Sequence, residues 1–237
     1  LNQSIFIKIF KKYIFDRSHK IIVLSKKISK YNSMKDFKNK IFVLKNALDS
    51  ELENSLLKLN INVTYRTSNT RFLFYSNILL SKGIDIYIEL FKKNPNLNQR
   101  FSTIAGYPNQ LKLVKYVNQN NHKYIGHISR SMKANLFLNN DCIIFSSPNE
   151  GSPLILLEAM ASGVFIISSN VGFIPELLGN NYPYMCNPNV NDFSKIIDKY
   201  FQLSKKQRYE IILNQRKRYI KLFSFNIWNK KTNFIFK

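Results

Sequence analysis

One stretch limits the fold of this chain more than any other. Cys142 to Ser146 reads as a strand, Pro153 to Ala161 as a helix, and Val164 to Ser168 as a strand again. Pro153 suits the first helical turn, where its missing N–H would be unpaired anyway. Gly163 suits the position just past the helix end, where positive φ closes the last turn. Strand, helix and strand in so short a span point to parallel strands joined by a crossover, the repeating unit of a doubly wound sheet.

The alternation recurs along the chain. Ile21–Leu24 and Ile41–Leu44 read as buried parallel strands, and Asn60 to Asn69 is polar and poorly patterned, the best linker candidate. Phe72–Tyr75 then opens a second series: a helix over Ile84–Phe91, a strand over Phe101–Ala105 ended by Gly106, a helix over Gln110–Asn118, a very short strand at Tyr124–Ile125 and a helix over Met132–Leu138. From Asp192 onward the pattern is helical, with a basic, aromatic tail from Arg216 to Lys237. The fold class is α/β, a Rossmann-like doubly wound parallel sheet.

Composition excludes several function classes. With 45% hydrophobic and 14% aromatic residues, the 237-residue chain can bury a sizeable core. No apolar run reaches the ~18 residues that span a bilayer. Cys142 and Cys186 lack CxxC spacing, which argues against a disulfide framework or a zinc site and fits a reducing compartment. The three histidines, His19, His122 and His127, form no metal set. The net charge of +22 is mostly Lys, spread over the whole chain beside abundant Asn, Ile, Phe and Tyr, and reads first as a compositional bias. A protein resting on an anionic membrane surface is the second reading. Nucleic-acid binding is disfavoured, since no recognisable motif accompanies the charge. Ser4 to Phe15 has helical spacing with Lys8, Lys11 and Lys12 interspersed, and serves equally as a membrane-lying helix or a core-facing one. The chain begins at Leu1, and a fragment or trimmed sequence is expected.

The chemistry concentrates at two carboxylates, Glu150 and Glu158, eight residues apart. Glu150 stands on a Gly/Pro loop just outside the helix, and Glu158 lies in its second turn. Between them the backbone N–H groups of Gly151 to Leu154, Pro153 excepted, carry the positive end of the helix dipole, which can hold a diphosphate. An acidic helix start would account for Glu150 alone, but not for the adjacent Gly and Pro. Nor does it explain Glu158 within Leu-Leu-Glu-Ala-Met. A carboxylate in that apolar setting needs partners, and ligand hydroxyls are good ones.

Glu150 to Glu158 resembles the E-x7-E motif of the retaining glycosyltransferases of family 4, which have the GT-B fold. The surrounding run Glu-Gly-Ser-Pro-Leu-Ile-Leu-Leu-Glu-Ala-Met-Ala-Ser-Gly is followed by Val171-Gly172-Phe173-Ile174-Pro175-Glu176-Leu177, in the family's usual order. Upstream, Phe72-Leu73-Phe74-Tyr75-Ser76-Asn77 and Ser81-Lys82-Gly83 are similar to the first strand and phosphate-binding turn of the family's C-terminal domain. Tyr124-Ile125-Gly126 resembles its short FLG-type strand. Val23-Leu24-Ser25 and Leu44-Lys45-Asn46-Ala47-Leu48-Asp49 look like the last strands of its N-terminal domain.

The resemblance implies three segments. Residues 1–69 are the end of an acceptor-side N-terminal domain plus linker, 70–215 the nucleotide-sugar-binding domain, and 216–237 a helix crossing back to the first. It also implies catalytic roles for Glu150 and Lys82, and donor contacts from Asn77, Lys82, Glu150, Gly151, Ser152, Pro153, Leu154 and Glu158. Lys82 would neutralise the diphosphate, Glu150 would meet sugar hydroxyls near the reacting carbon, and Glu158 would bind the ribose. The implied donor is a UDP- or GDP-sugar with no metal or other cofactor. The acceptor is a glycan or lipid-linked molecule for cell-surface polysaccharide or lipopolysaccharide, met in the cytoplasm at the inner face of a membrane. A non-catalytic donor-binding module, or one subunit of a split enzyme, is the alternative. Two departures stand out: Ser76-Asn77 replaces the family's common Gly-Arg, and Phe165 replaces a frequent Pro. His127 is either near the nucleobase or a solvated loop residue. Phe223, Phe225 and Trp228 read as anchors of the last helix rather than as base-stacking residues.

Overall fold

The apolar runs become strands, and the stretches between them helices, across the residues that the computed structural model describes: 3–61, 70–97, 100–108, 115, 117 and 122–236. Two compact units result, Leu1–Asn46 with Asn226–Lys237, and Ala47–Phe225. In the smaller unit, α1 (Gln3–Arg17) precedes β1 (Ile21–Val23), the 3-10 segments Ile28–Lys30 and Asn32–Lys40, and β2 (Ile41–Val43). β1 and β2 pair in parallel, Ile21 opposite Ile41. Ile21, Val23, Met34 and Phe37 form the unit's core, and the Phe15 ring meets Phe37 edge-on at 5.4 Å. On α1, Ile7, Phe10, Tyr13 and Ile14 are exposed. The strand ends at Val43, so Leu44–Asp49 is not the further strand that its likeness to the family implied.

The larger unit runs α2 (Ser50–Leu57), β3 (Arg71–Tyr75), α3 (Ile84–Lys93), β4 (Phe101–Ala105), β5 (Lys123–Tyr124), α4 (Lys133–Leu138), β6 (Cys142–Phe145), α5 (Leu154–Ser162), β7 (Phe165–Ser169), α6 (Ile174–Leu178), β8 (Met185–Cys186), α7 (Val190–Gln202) and α8 (Lys205–Phe223). The last helix, α9 (Phe225–Phe236), groups with the smaller unit from Asn226 on. The expected helix over Gln110–Asn118 and the linker after Ile61 lie largely outside the described residues.

Six strands form one parallel sheet in the order β5-β4-β3-β6-β7-β8. Every residue of β6 and β7 is buried, as the apolar runs Cys142–Phe145 and Phe165–Ile167 require for strands covered on both faces, and the buried Ser168 and Ser169 hydroxyls donate to backbone carbonyls. The helices form two groups: α2, α4 and α8 pack against α5, while α3 packs against α7. Right-handed crossovers leaving β3 in one direction and β6 in the other put these groups on opposite faces. Leu156 and Leu157 of α5 are fully buried, each stabilising the fold by about 1.5–3 kcal/mol over an exposed position.

Helix α8 acts as a clamp. Arg208 Nη2 donates to the Tyr200 carbonyl at the end of α7, Arg216 Nη2 to Leu56, Leu57 and Leu59 at the end of α2, and Arg218 Nε to Leu177 of α6. These carbonyls lie at or just past the C-terminal turns of their helices, at the negative end of each dipole, so a guanidinium suits them.

Candidate functional site

The strand order reverses at β3. From there the chain passes to β4 and β5 on one side, then returns to β6 on the other. The connections leaving the C-terminal ends of β3 and β6 therefore run on to opposite sides of the sheet, and the crevice at such a switch point is the usual ligand position in such sheets. The β3 loop carries Ser76, Asn77 and the 3-10 turn Leu80–Lys82, and the β6 loop carries residues 146–153.

Glycine lets these loops approach each other. Gly83 has φ +75°, and a Cβ there would lie 2.2 Å from the Ser146 carbonyl oxygen. The Ser146 hydroxyl in turn donates to the Gly83 carbonyl at 2.7 Å. Gly172, φ +54°, sits so close beneath the β6 loop that a Cβ would come within 1.7 Å of the Glu150 carbonyl oxygen. Ser169 Oγ donates to the Ser147 carbonyl at 2.6 Å, tying the loop to the end of β7.

Across the crevice, Lys82 Nζ meets Glu150 Oε1 at 2.7 Å, with the two side chains 30% and 11% exposed. The fold thus brings together the two residues given catalytic roles. Asn77 lies exposed on the same loop as Lys82, and Ser76 is buried. Pro153 differs by one position from expectation: its ψ of 123° is extended, so it caps α5 and Leu154 opens the helix. Gly151 and Leu154 are exposed, and Ser152 and Pro153 half-buried, around that helix start.

Glu158 lies in the second turn of α5, only 3% exposed. Its Oε1 accepts from Lys133 Nζ at 2.6 Å, while Oε2 is buried without a hydrogen-bond partner. Burial raises the Glu158 pKa, and the Lys133 ammonium opposes that rise. Burial works to lower the Lys133 pKa, but the bond to Glu158 and its charge outweigh it, and the ammonium is held more firmly than usual. Tyr75, at the end of β3, lies within 5.9 Å of Lys133, and its hydroxyl pKa is raised by burial and then by Glu158. Lys133 is not a candidate on sequence grounds, because nothing local marks one Lys on a short helix as the partner of a carboxylate 25 residues away.

Gly106 donates its N–H to the Gly126 carbonyl at 2.8 Å, closing the β4 and β5 ends, and His127 beside it is exposed. His122 is buried, with Nδ1 2.7 Å from Ser102 Oγ near the strand starts, away from the crevice. Phe223 is buried at the end of α8. Among the described residues no group of three or more His, Cys, Asp or Glu could hold a metal ion. A cavity at the opposite edge, lined by Arg71, Asn140, Asp141 and Arg208, measures about 80 Å³, far below the ~300 Å³ or more of small-molecule pockets.

Comparison with known proteins bears on this crevice. The family described as glycosyl transferases group 1 matches residues 60–218. A component of the phosphatidylinositol N-acetylglucosaminyltransferase of Arabidopsis thaliana is 23% identical over 203 residues, 83% of this chain and 44% of that protein. Among solved structures, sucrose-phosphate synthase from Thermosynechococcus elongatus superposes with a TM-score of 0.77 at 17% identity, over 97% of this chain and 60% of the synthase chain. The Anabaena protein HepE in complex with UDP and glucose superposes with a TM-score of 0.69 at 15% identity, over 91% of this chain and 62% of its own. The chain thus spans less than half of the Arabidopsis relative, and the structural likeness establishes the GT-B type of α/β fold.

Proposed function

The chain belongs to the group 1 glycosyl transferases, and from that premise we propose that it binds a nucleoside diphosphate sugar and transfers the sugar with retention, as a family 4 enzyme does. The observation that carries this reading is the meeting of Lys82 and Glu150 at 2.7 Å over the switch point, beside the N-terminus of α5. The UDP and glucose held by HepE, on a similar fold, support a UDP-sugar as donor, with a GDP-sugar as the alternative.

In this reading the diphosphate enters between the loops, and Lys82 exchanges Glu150 for phosphate oxygens as a point charge. The first-turn amides of α5 face the same negative charge. Glu150, released, accepts from sugar hydroxyls near the anomeric carbon. The bond from that carbon to the diphosphate breaks with its electron pair passing to phosphate, and positive charge grows on the sugar ring. Lys82 and the helix end stabilise the departing diphosphate, while Glu150 stabilises the ring. Charges fixed in place before the reaction supply much of a catalytic effect. Asn77 hydrogen-bonds phosphate without adding charge. Glu158, deeper in the pocket, takes the ribose.

A membrane-linked acceptor is supported by the net charge of +22 and by the phosphatidylinositol in the name of the Arabidopsis relative. No helix among the described residues is long and apolar enough to cross a membrane, and the proposed contact is peripheral, at the inner face. The absence of an arginine at Asn77 favours one second reading, a donor-binding module without turnover. Incubation with a panel of UDP- and GDP-sugars, with free sugar measured, separates the two. Slow release from at least one donor is expected. UDP binding with no release from any donor, even after the chain is joined to an acceptor-side domain, supports the module.

A further inference from the structure

Glu158 presents an unmet demand. It is 3% exposed, one oxygen is occupied by Lys133, and the other is buried with nothing to accept from. A buried carboxylate oxygen left without a donor is costly, so the arrangement makes sense only if something supplies one. Lys133 is the more exposed member of the pair, at 20%, and a ligand approaching Glu158 meets it first. Its ammonium lies beside the Tyr75 ring at the end of β3, at the crevice edge of the sheet.

We propose that Lys133 is a positioning residue for nucleotide recognition: by engaging Oε1 it fixes the Glu158 carboxylate and leaves Oε2 as the acceptor for a ribose hydroxyl. This rests on the crevice being a nucleoside diphosphate site. Lys133 acts through Glu158 and contributes little to the phosphates. The charge balance follows from the neighbours. Asp49, capping α2, adds negative charge near Glu158 and disfavours its ionisation. Arg208 and Arg216, on the packed helix α8, are committed to the carbonyls of α7 and α2. β7 supplies no charged residue. Among the described residues, Lys133 is therefore the cation that keeps Glu158 in its accepting form, with the Tyr75 hydroxyl beside it.

The test pairs protein variants with ligand variants. UDP and 2′,3′-dideoxy-UDP are titrated calorimetrically into wild type, Lys133→Met, Lys133→Arg and Glu158→Gln between pH 6 and 9. Lys133→Met should weaken UDP about tenfold or more at pH 7, the value of a hydrogen bond to a charged group. It should leave the dideoxy analogue within about twofold of wild type. Its UDP affinity should climb with pH more steeply than the wild type's, as Glu158, now without a counter-ion, ionises late. Lys133→Arg should restore most of the affinity and the shallow profile. Equal losses for both ligands, or no loss for either, overturn the proposal while leaving the donor site standing. Wild type binding neither ligand overturns both. Stripping a buried carboxylate of its cation can unfold a protein. Should Lys133→Met not fold, the double variant with Glu158→Gln removes both charges and must bind UDP as well as Glu158→Gln alone. A further loss in the double variant contradicts the proposal.

Discussion

Two ion pairs join the β3 and β6 segments, one at each end of these central strands, and they are built differently. At the strand starts Asp141 receives Arg71 Nε and Nη2 at 3.1 Å each and the Arg71 N–H at 2.8 Å. The N–H of Asp141 returns to the Arg71 carbonyl at 2.8 Å. At the strand ends Lys82 touches Glu150 by one bond at 2.7 Å. The first pair is a planar fork with a backbone seam around it, which leaves little for a ligand to take. The second is a point charge on a flexible stem against a carboxylate on a glycine-bordered loop, a contact that the proposed diphosphate would displace. One cation and one anion, paired at each end of the same two strands, serve cohesion at the starts and, in the proposed function, exchange at the ends.

Four variants break or sharpen that contrast. The largest effect is expected from Glu150→Gln, which should lower sugar release about 10²-fold or more and shift the melting temperature little. Comparable losses in both would mean that Glu150 is structural, like Asp141. Next is the acid sensitivity of the strand-start edge. Burial lowers the His122 pKa to about 4, from an ordinary 6.5. Its contribution is complete above pH 6.5 and lost as pH falls towards 4, up to about 3 kcal/mol. Urea unfolding at pH 7 and pH 4.5 should show a smaller pH slope for His122→Phe, and identical slopes would refute the assignment. Asp141→Ala should cost about 2 kcal/mol of stability by orphaning the Arg71 groups, with UDP affinity unchanged in titration. The smallest effect is a gain: Asn77→Arg, adding charge beside Lys82, should tighten UDP about fivefold. No change would show that Asn77 does not face the phosphates.

Legibility follows the length and locality of each signal. The β6–α5–β7 unit is readable because Cys142–Phe145 and Phe165–Ile167 are apolar and Gly163 ends the helix at φ 78°. Glu150 and Glu158 are readable by their spacing around that helix start. The 3-10 segment Asn32–Lys40 is not, since two buried residues, Met34 and Phe37, in a polar run make no sustained period. Helix α2 does carry local signals: Asp49 accepts from the Leu52 N–H as its cap, and Leu52 and Leu56 fall on one face. Likeness to the family, which marks the residues just before it as a strand, obscures them. The Arg216 clamp on α2, spanning 157 to 160 residues, and the Lys133–Glu158 pair depend on tertiary approach and leave no local trace.

The central claim is that the crevice above β3 and β6 holds a nucleoside diphosphate on Lys82. Titration of UDP into folded wild type, Lys82→Met and Arg71→Met tests it most directly. Saturable one-to-one binding by wild type and Arg71→Met, weakened tenfold or more in Lys82→Met, is the predicted result. UDP affinity that is indifferent to Lys82, or absent from a folded wild type for UDP and GDP alike, would contradict it.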